Sequence, residues 1–322
     1  MVIRMTTGLA VPESVVEDDL PRRLLVAIQK GGSGKSTIVA AVATAIAAKG
    51  KRVLVVDADQ QGNLTQDDLG VPDEQWDKGK SLAAAFQYGT PLTVIKDVRP
   101  NLDLVMGGPA IGMVSVAVAG NPEPPDLAEN LQLSLRRLNA ENEYDVIIFD
   151  SGHGDKVLLI ALLEISTDLV IPTKEDAASL RGIAQLAVSM KRAIHRGSRV
   201  QLLGVVLFDV DPKATLRHEY IIEQVRGILQ GTNVEPFQAT IRHAAGPSVA
   251  QRDNNQTAQE LAVAATQTSG GRLKTLRLGK GKGAHRLSAD LAINLANDYQ
   301  LLTREILQRL SRAALQTSGS SK

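Results

Sequence analysis

Short, continuous apolar runs recur along this chain and alternate with longer stretches of helical periodicity. LLVAI (24–28), RVLVVD (52–57), LDLVM (102–106), DVIIFD (145–150), DLVIP (168–172) and QLLGVVLF (201–208) are apolar throughout rather than every second residue. Strands covered on both faces have that pattern. FQATI (237–241) is a weaker candidate of the same kind. Between these runs the spacing predicts helices over 35–49, 126–142, 176–195, 216–229 and 288–315. The first of them, KSTIVAAVATAIAAK, contains no breaker and stops at Gly50. A strand, a helix and a strand within about 35 residues make a βαβ unit, which requires parallel neighbours. The expected fold class is therefore α/β, a mostly parallel twisted sheet flanked by helices on both faces.

The ends and one internal stretch break this rhythm. Residues 1–21 are expected to be a flexible acidic arm, 22–315 a single domain and 316–322 a disordered tail. Residues 266–286, TQTSGGRLKTLRLGKGKGAHR, hold six Lys or Arg and no acid. This stretch is too polar and glycine-rich for a core, so it is expected to be an exposed, mobile basic insertion. The last predicted helix places Leu291, Leu295, Leu302, Ile306 and Leu310 at helical spacings.

Composition narrows the chemistry. With no cysteine in 322 residues there are no disulfides, thiolate zinc sites or Cys-held iron–sulfur clusters. No run approaches the length of a membrane span, and the acidic start has no apolar core of a signal peptide. A cytoplasmic location is expected. Aromatics at 3% argue against base stacking as a main binding device. The net charge of +1 hides an asymmetry: residues 1–189 carry 25 acids against 17 bases, and the remainder 10 against 19. The basic half could meet a polyanion, or the difference could belong to a solvated surface.

The strongest local signal follows the first strand. QKGGSGKST, residues 29–37, has Gly31, Gly32 and Gly34, which let the backbone curl with its N–H groups inward. Lys35 adds positive charge and Ser36 a hydroxyl for Mg²⁺, all at a predicted helix N-terminus. This is a phosphate cradle, although the usual P-loop spacing wants Gly where Gln29 stands. Two acidic strand ends accompany it: VVDADQQGNLT (55–65), with Asp57 and Asp59, and YDVIIFD (144–150), ending at Asp150. A carboxylate at a strand tip can orient water or hold Mg²⁺.

With its second lysine, Lys30, KGGSGKS resembles the deviant phosphate loop of the ParA/MinD group of P-loop ATPases, most closely the ParA-type DNA-partition proteins. DADQQGNLT resembles that group's second motif with Gln60 in place of proline, and YDVIIFD its Walker B strand. After Asp150 the usual two prolines are replaced by Ser151-Gly152-His153-Gly154. His153 invites a catalytic reading, beside the plainer one of an incidental loop histidine.

The resemblance implies an Mg-dependent ATPase with catalytic Lys30, Lys35 and Asp59. Nucleotide would be bound by Lys30, Gly31, Gly32, Ser33, Gly34, Lys35, Ser36 and Thr37 together with Asp150. Mg²⁺ would be held by Ser36, Asp57, Asp59 and Asp150, partly through water. Lys30 would reach phosphates on a second copy in an ATP-sandwich homodimer, acting in trans like an arginine finger. Lys213, Arg217 and Arg242 fall where the resemblance implies DNA contacts, and the basic stretch adds Arg272, Lys274, Arg277, Lys280, Lys282 and Arg286. Phosphate contacts need only mobile positive charge, so such a stretch suits non-specific DNA; a solvated linker is the alternative. The implied function is DNA partition on the nucleoid, stimulated by a ParB-like partner. The competing reading, a MinD-like membrane-cycling ATPase, would want bulky apolar anchors that LTREILQRLSRAALQ lacks, so no membrane is expected.

Overall fold

The computed structural model describes residues 19–275 and 289–319, with no side-chain detail for 268–275, Ala289 and 314–319. Eight strands form one sheet: β1 (Arg22–Val26), β2 (Val53–Ala58), β3 (Ile95–Arg99), β4 (Leu102–Val105), β5 (Val146–Ser151), β6 (Asp168–Thr173), β7 (Gln201–Val210) and β8 (Ile241–Arg242). Their order is β3-β4-β2-β5-β1-β6-β7-β8, and every pairing is parallel except β3 with β4. Because β1 lies between β5 and β6, the chain leaving β1 emerges at the middle of the sheet. That is the crevice where open parallel sheets bind ligands.

Ten α-helices accompany the sheet among the described residues: α1 (Lys35–Ala47), α2 (Lys80–Tyr88), α3 (Gly112–Ala119), α4 (Leu127–Asn142), α5 (Lys156–Ile165), α6 (Ala177–His195), α7 (Thr215–Ile228), α8 (Ala245–Asp253), α9 (Ala258–Thr275) and α10 (Ala289–Gly319). A single π-helical turn spans Leu64–Asp68. The continuous strands sort their side chains alternately onto two cores. Leu25, Leu54, Ile147 and Phe149 face one side, against α2 and α4 to α7. Leu24, Val53, Val55 and Ile148 face the other, against α1, α9 and α10. Two-sided coverage explains why these strands are apolar throughout.

Several expectations shift. FQATI does not form a strand; only Ile241 and Arg242 pair, with β7. The basic stretch is not a loop over 266–275, where α9 continues. AQELAVAA starts that helix and no proline stops it, and elongation costs little once a helix has nucleated. Residues 276–286 lie outside the described residues, as does the arm up to residue 18. The described end of that arm is docked: Asp19 accepts from Arg136 at 2.8 Å and Leu20 is buried. α10 continues through Gly319, into the stretch expected to be a disordered tail. Among the described residues no helix is long and apolar enough to cross a membrane.

The α10 helix carries part of the second core, with Leu295, Leu302 and Ile306 at or near zero exposure. Leu302→Ala should therefore cost about 2–5 kcal/mol in urea unfolding, in one transition shared with the rest of the domain.

Candidate functional site

The phosphate loop is shaped by its packing. Gly34 has φ +81°, and a Cβ there would stand 2.3 Å from the Phe208 ring, so only glycine fits between α1 and the end of β7. Ser33 is buried and its hydroxyl donates to the Lys30 carbonyl at 3.1 Å, closing the loop on itself. No side chain caps the first turn of α1. Its N–H groups therefore face the crevice unpaired by any cap and, with the helix dipole, favour an anion. Lys35 is 6% exposed and directed inward.

The two strand-end carboxylates meet beneath this loop. Asp57 on β2 and Asp150 on β5 are register partners, and both are wholly buried. Asp57 is engaged by the protein: Oδ1 accepts from Asp59 N, and Oδ2 accepts from Thr65 N at 3.0 Å and Thr65 Oγ1 at 2.7 Å. Thr65 Oγ1 in turn accepts from Gly107 N, tying the tips of β2 and β4 together. Burial raises the Asp57 carboxyl to about 6 against these hydrogen bonds. It thus organises the loop that carries Asp59, and its oxygens are taken.

Neither Asp150 oxygen makes a well-formed hydrogen bond, although the Ser36 hydroxyl interacts with the carboxylate. Burial pushes its carboxyl well above the usual range, the Asp57 charge adds to the rise and Lys35 opposes it. A buried carboxylate with so little hydrogen bonding, beside a phosphate loop, is the setting a divalent cation fits. Among the described residues no group of three or more His, Asp or Glu could hold a metal by itself. Mg²⁺ suits such a poor protein cage, since it draws most ligands from water and phosphate.

Asp59 is 4% exposed, and its Oδ1 accepts from Gln61 N at 3.0 Å. Its Oδ2 lies 4.0 Å from His153 Nδ1. Lys30 leaves the loop at its rim and is held within its own chain. Its Nζ donates to Asp176 Oδ2 at 2.5 Å and to Ser179 Oγ at 2.9 Å. Asp176 is also the N-cap of α6, accepting from Ser179 N. Burial works against its ionisation, but the Lys30 and Ser179 donors outweigh it and hold the carboxyl at about 2. The only trace of this latch in the sequence was the cap pattern Asp-x-x-Ser at 176–179.

The basic candidates do not form one free surface. Lys213 is exposed. Arg217 donates to the Glu175 carbonyl at 2.8 Å and lies 3.4 Å from its carboxylate, yet stays 62% exposed. Arg242 grips Asp298 with two nitrogens, at 2.6 and 2.7 Å, so its guanidinium ties β8 to α10. Arg272 and Lys274 sit on α9 without described side chains. Arg277, Lys280, Lys282 and Arg286 lie outside the described residues.

Known proteins share this sequence and fold in part. A sequence profile described as an AAA domain matches residues 22–202. The chain is 29% identical over 210 residues to the chromosome partitioning protein ParA of Caulobacter vibrioides, covering 64% of this chain and 75% of that protein. It is 30% identical over 201 residues to the sporulation initiation inhibitor protein Soj of Bacillus subtilis, covering 62% and 76%. The structure of apo McdA from Cyanothece superposes with a TM-score of 0.65 at 16% identity, over 89% of this chain and all of that one.

A buried acid behind the loop offers a test by pH. Asp68, on the π-helical turn, is raised to about 7 by burial, opposed by Arg252 and reinforced by Asp67 and Asp57. The folded protein thus holds a proton that the unfolded chain releases near its ordinary pKa of about 4. This stabilisation is complete below that pH and is lost as pH rises through 7. Asp68→Asn removes the loss, so its advantage over wild type in urea unfolding should grow between pH 5 and pH 8, approaching roughly 4 kcal/mol.

Proposed function

The chain belongs to the AAA domain family as a ParA/MinD-type P-loop ATPase, and on that premise we propose that it is a DNA-partition ATPase. It binds Mg-ATP at residues 30–37, pairs with a second copy around the nucleotide, holds DNA through phosphates and releases it on hydrolysis. The observation that carries this reading is the division of labour between two lysines. Lys35 is buried among the acids of its own site, whereas Lys30 stands at the rim, 27% exposed, on a partner that is itself 43% exposed. Ion pairs that open to solvent hold with about 0–1 kcal/mol. Lys30 can therefore leave Asp176 for a phosphate brought by a second copy, where a mobile cation neutralises charge on the transferring phosphoryl group.

In this reading Ser36 and Asp150 hold magnesium, which supplies charge neutralisation at the phosphates when bound. Asp57 keeps the Asp59 loop in place through Thr65. Asp59 accepts a proton from the attacking water. Lys213 and Arg217 offer exposed charge to DNA, and the basic stretch through Arg286 adds to it. Arg242, committed to Asp298, serves the domain rather than the DNA. A ParB-like centromere-binding protein is the proposed stimulating partner and the nucleoid the proposed location.

Three variants separate the roles. Lys35→Ala should abolish nucleotide binding in a fluorescent-ATP titration. Lys30→Ala should keep nucleotide binding but lose the ATP-dependent dimer in light scattering. Asp59→Ala should bind and dimerise without hydrolysing; turnover at the wild-type rate in this variant removes Asp59 from the mechanism.

DNA holding is tested with random-sequence duplex across a salt series. Binding should require ATP and weaken steeply with salt, by about tenfold or more for each few phosphates contacted between 50 and 200 mM. Indifference to duplex in the ATP, ADP and nucleotide-free states, with dimerisation intact, sinks the DNA reading.

A further inference from the structure

The loop after β5 reads Gly152-His153-Gly154. Its geometry is specific. Gly152 is wedged against the end of β2: a Cβ there would lie 3.3 Å from the Ala58 carbonyl and 3.4 Å from Asp59 Oδ1. Gly154 has φ +86° and open space around it, so the chain turns sharply there and aims His153 back over the site. The imidazole then lies across the phosphate loop, its Cδ2 and Nε2 each 3.5 Å from where a Cβ on Gly31 would stand. Its other side faces Asp59, with Nδ1 4.0 Å from Oδ2. The ring is thus set between the loop that would cradle phosphate and the carboxylate assigned to the attacking water.

The separation itself is informative. Two hydrogen bonds of about 2.8 Å meeting at one water oxygen put their outer atoms roughly 4.4 Å apart. A gap of 4.0 Å is too long for a direct bond and close to that spacing. The remaining Asp59 oxygen is already fixed by Gln61 N, so the carboxylate cannot easily turn away. We propose that His153 shares the attacking water with Asp59, donating its Nδ1–H to the water oxygen while Asp59 Oδ2 accepts a water proton.

This inference rests on the ATPase reading above and adds a catalytic residue to it. In the step it serves, the water oxygen bonds to the γ-phosphorus and the bond from that phosphorus to the bridging oxygen breaks. The electron pair leaves with ADP, and the water proton passes to Asp59. His153 neither gains nor loses a proton; it fixes the water's lone-pair direction, which is a positioning effect. The side chain is 47% exposed, so its replacement leaves the core packing untouched.

The test compares wild type with His153→Ala, His153→Asn and His153→Gln, using Asp59→Ala as reference. Fluorescent-ATP affinity and KM should be unchanged in all three His153 variants. The turnover number should fall about 10- to 100-fold in His153→Ala. His153→Asn, whose amide nitrogen occupies the place of Nδ1, should recover most of it, while His153→Gln, which mimics Nε2, should not.

A binding readout runs in parallel. Wild type should prefer ADP with aluminium fluoride, which mimics the phosphoryl group in flight with its axial water, over ADP alone. His153→Ala should lose about tenfold of that preference. A His153→Ala turnover within twofold of wild type, with the analogue preference intact, overturns the inference while leaving the ATPase reading in place. Equal loss of nucleotide affinity in all three variants also overturns it, by reducing His153 to a packing residue. If wild type shows no hydrolysis that Asp59→Ala removes, both readings fall together.

Discussion

Two carboxylates buried side by side are the constraint around which this domain is built. Parallel pairing of β2 with β5 sets Asp57 opposite Asp150 at the strand tips, and both are fully buried. Like charges so placed cannot both ionise without compensation. The chain resolves the two differently. Asp57 is satisfied by Thr65 and by the Asp59 backbone, which fixes the shape of the following loop. Asp150 has only the Ser36 hydroxyl and the nearby charge of Lys35 to offset its burial, which suits it to the cation proposed for the site. A structural acid and a ligand-hungry acid thus arise from one register.

The same logic sorts the cations. Lys35 is shielded by the loop and faces the acids of its own subunit, while Lys30 is tied at the rim to a cap residue of α6. Because Asp176 also caps that helix, moving Lys30 leaves the cap bond to Ser179 N in place and costs little beyond one partly exposed ion pair. Arg242 and Arg309 do the reverse: each is bound into the frame. Arg309 lies over the Phe237 ring and donates to the carbonyls of Leu203, Glu235 and Pro236. Charge counted along the chain cannot separate these uses.

The elements that the sequence makes legible are those with a strong period. The continuous strand runs and α1, α4, α6, α7 and α10 lie within a few residues of expectation, because each is long enough for pattern to outweigh noise. The elements not expected are α2, α3, α5, α8, α9 and β3, and for several of them the local pattern is weak. α5, KVLLIALLEI, is apolar all round, and α3 is rich in β-branched valine, so neither shows a clean helical face. β3, IKDVR, is an exposed edge strand paired antiparallel to β4, and two charged residues interrupt its apolar pattern. α9 crosses a glycine pair that reads locally as a loop, and the helix already under way carries it.

For the site, the sequence by itself determined the chemistry of the components: a glycine loop that only unsubstituted backbone can form, two lysines, and acids at the ends of apolar strands. Those follow from local composition and spacing, which need no third dimension. Only the tertiary structure decided which acid is free to bind a cation, since that depends on the β2–β5 register and on Thr65 reaching Asp57. It likewise decided that Arg242 is occupied, that Lys30 rests on Asp176, and that His153 faces Asp59 at 4.0 Å. Asp57 and Asp150, Lys30 and Asp176, His153 and Asp59, and Arg242 and Asp298 stand 56 to 146 positions apart, where only packing fixes who meets whom.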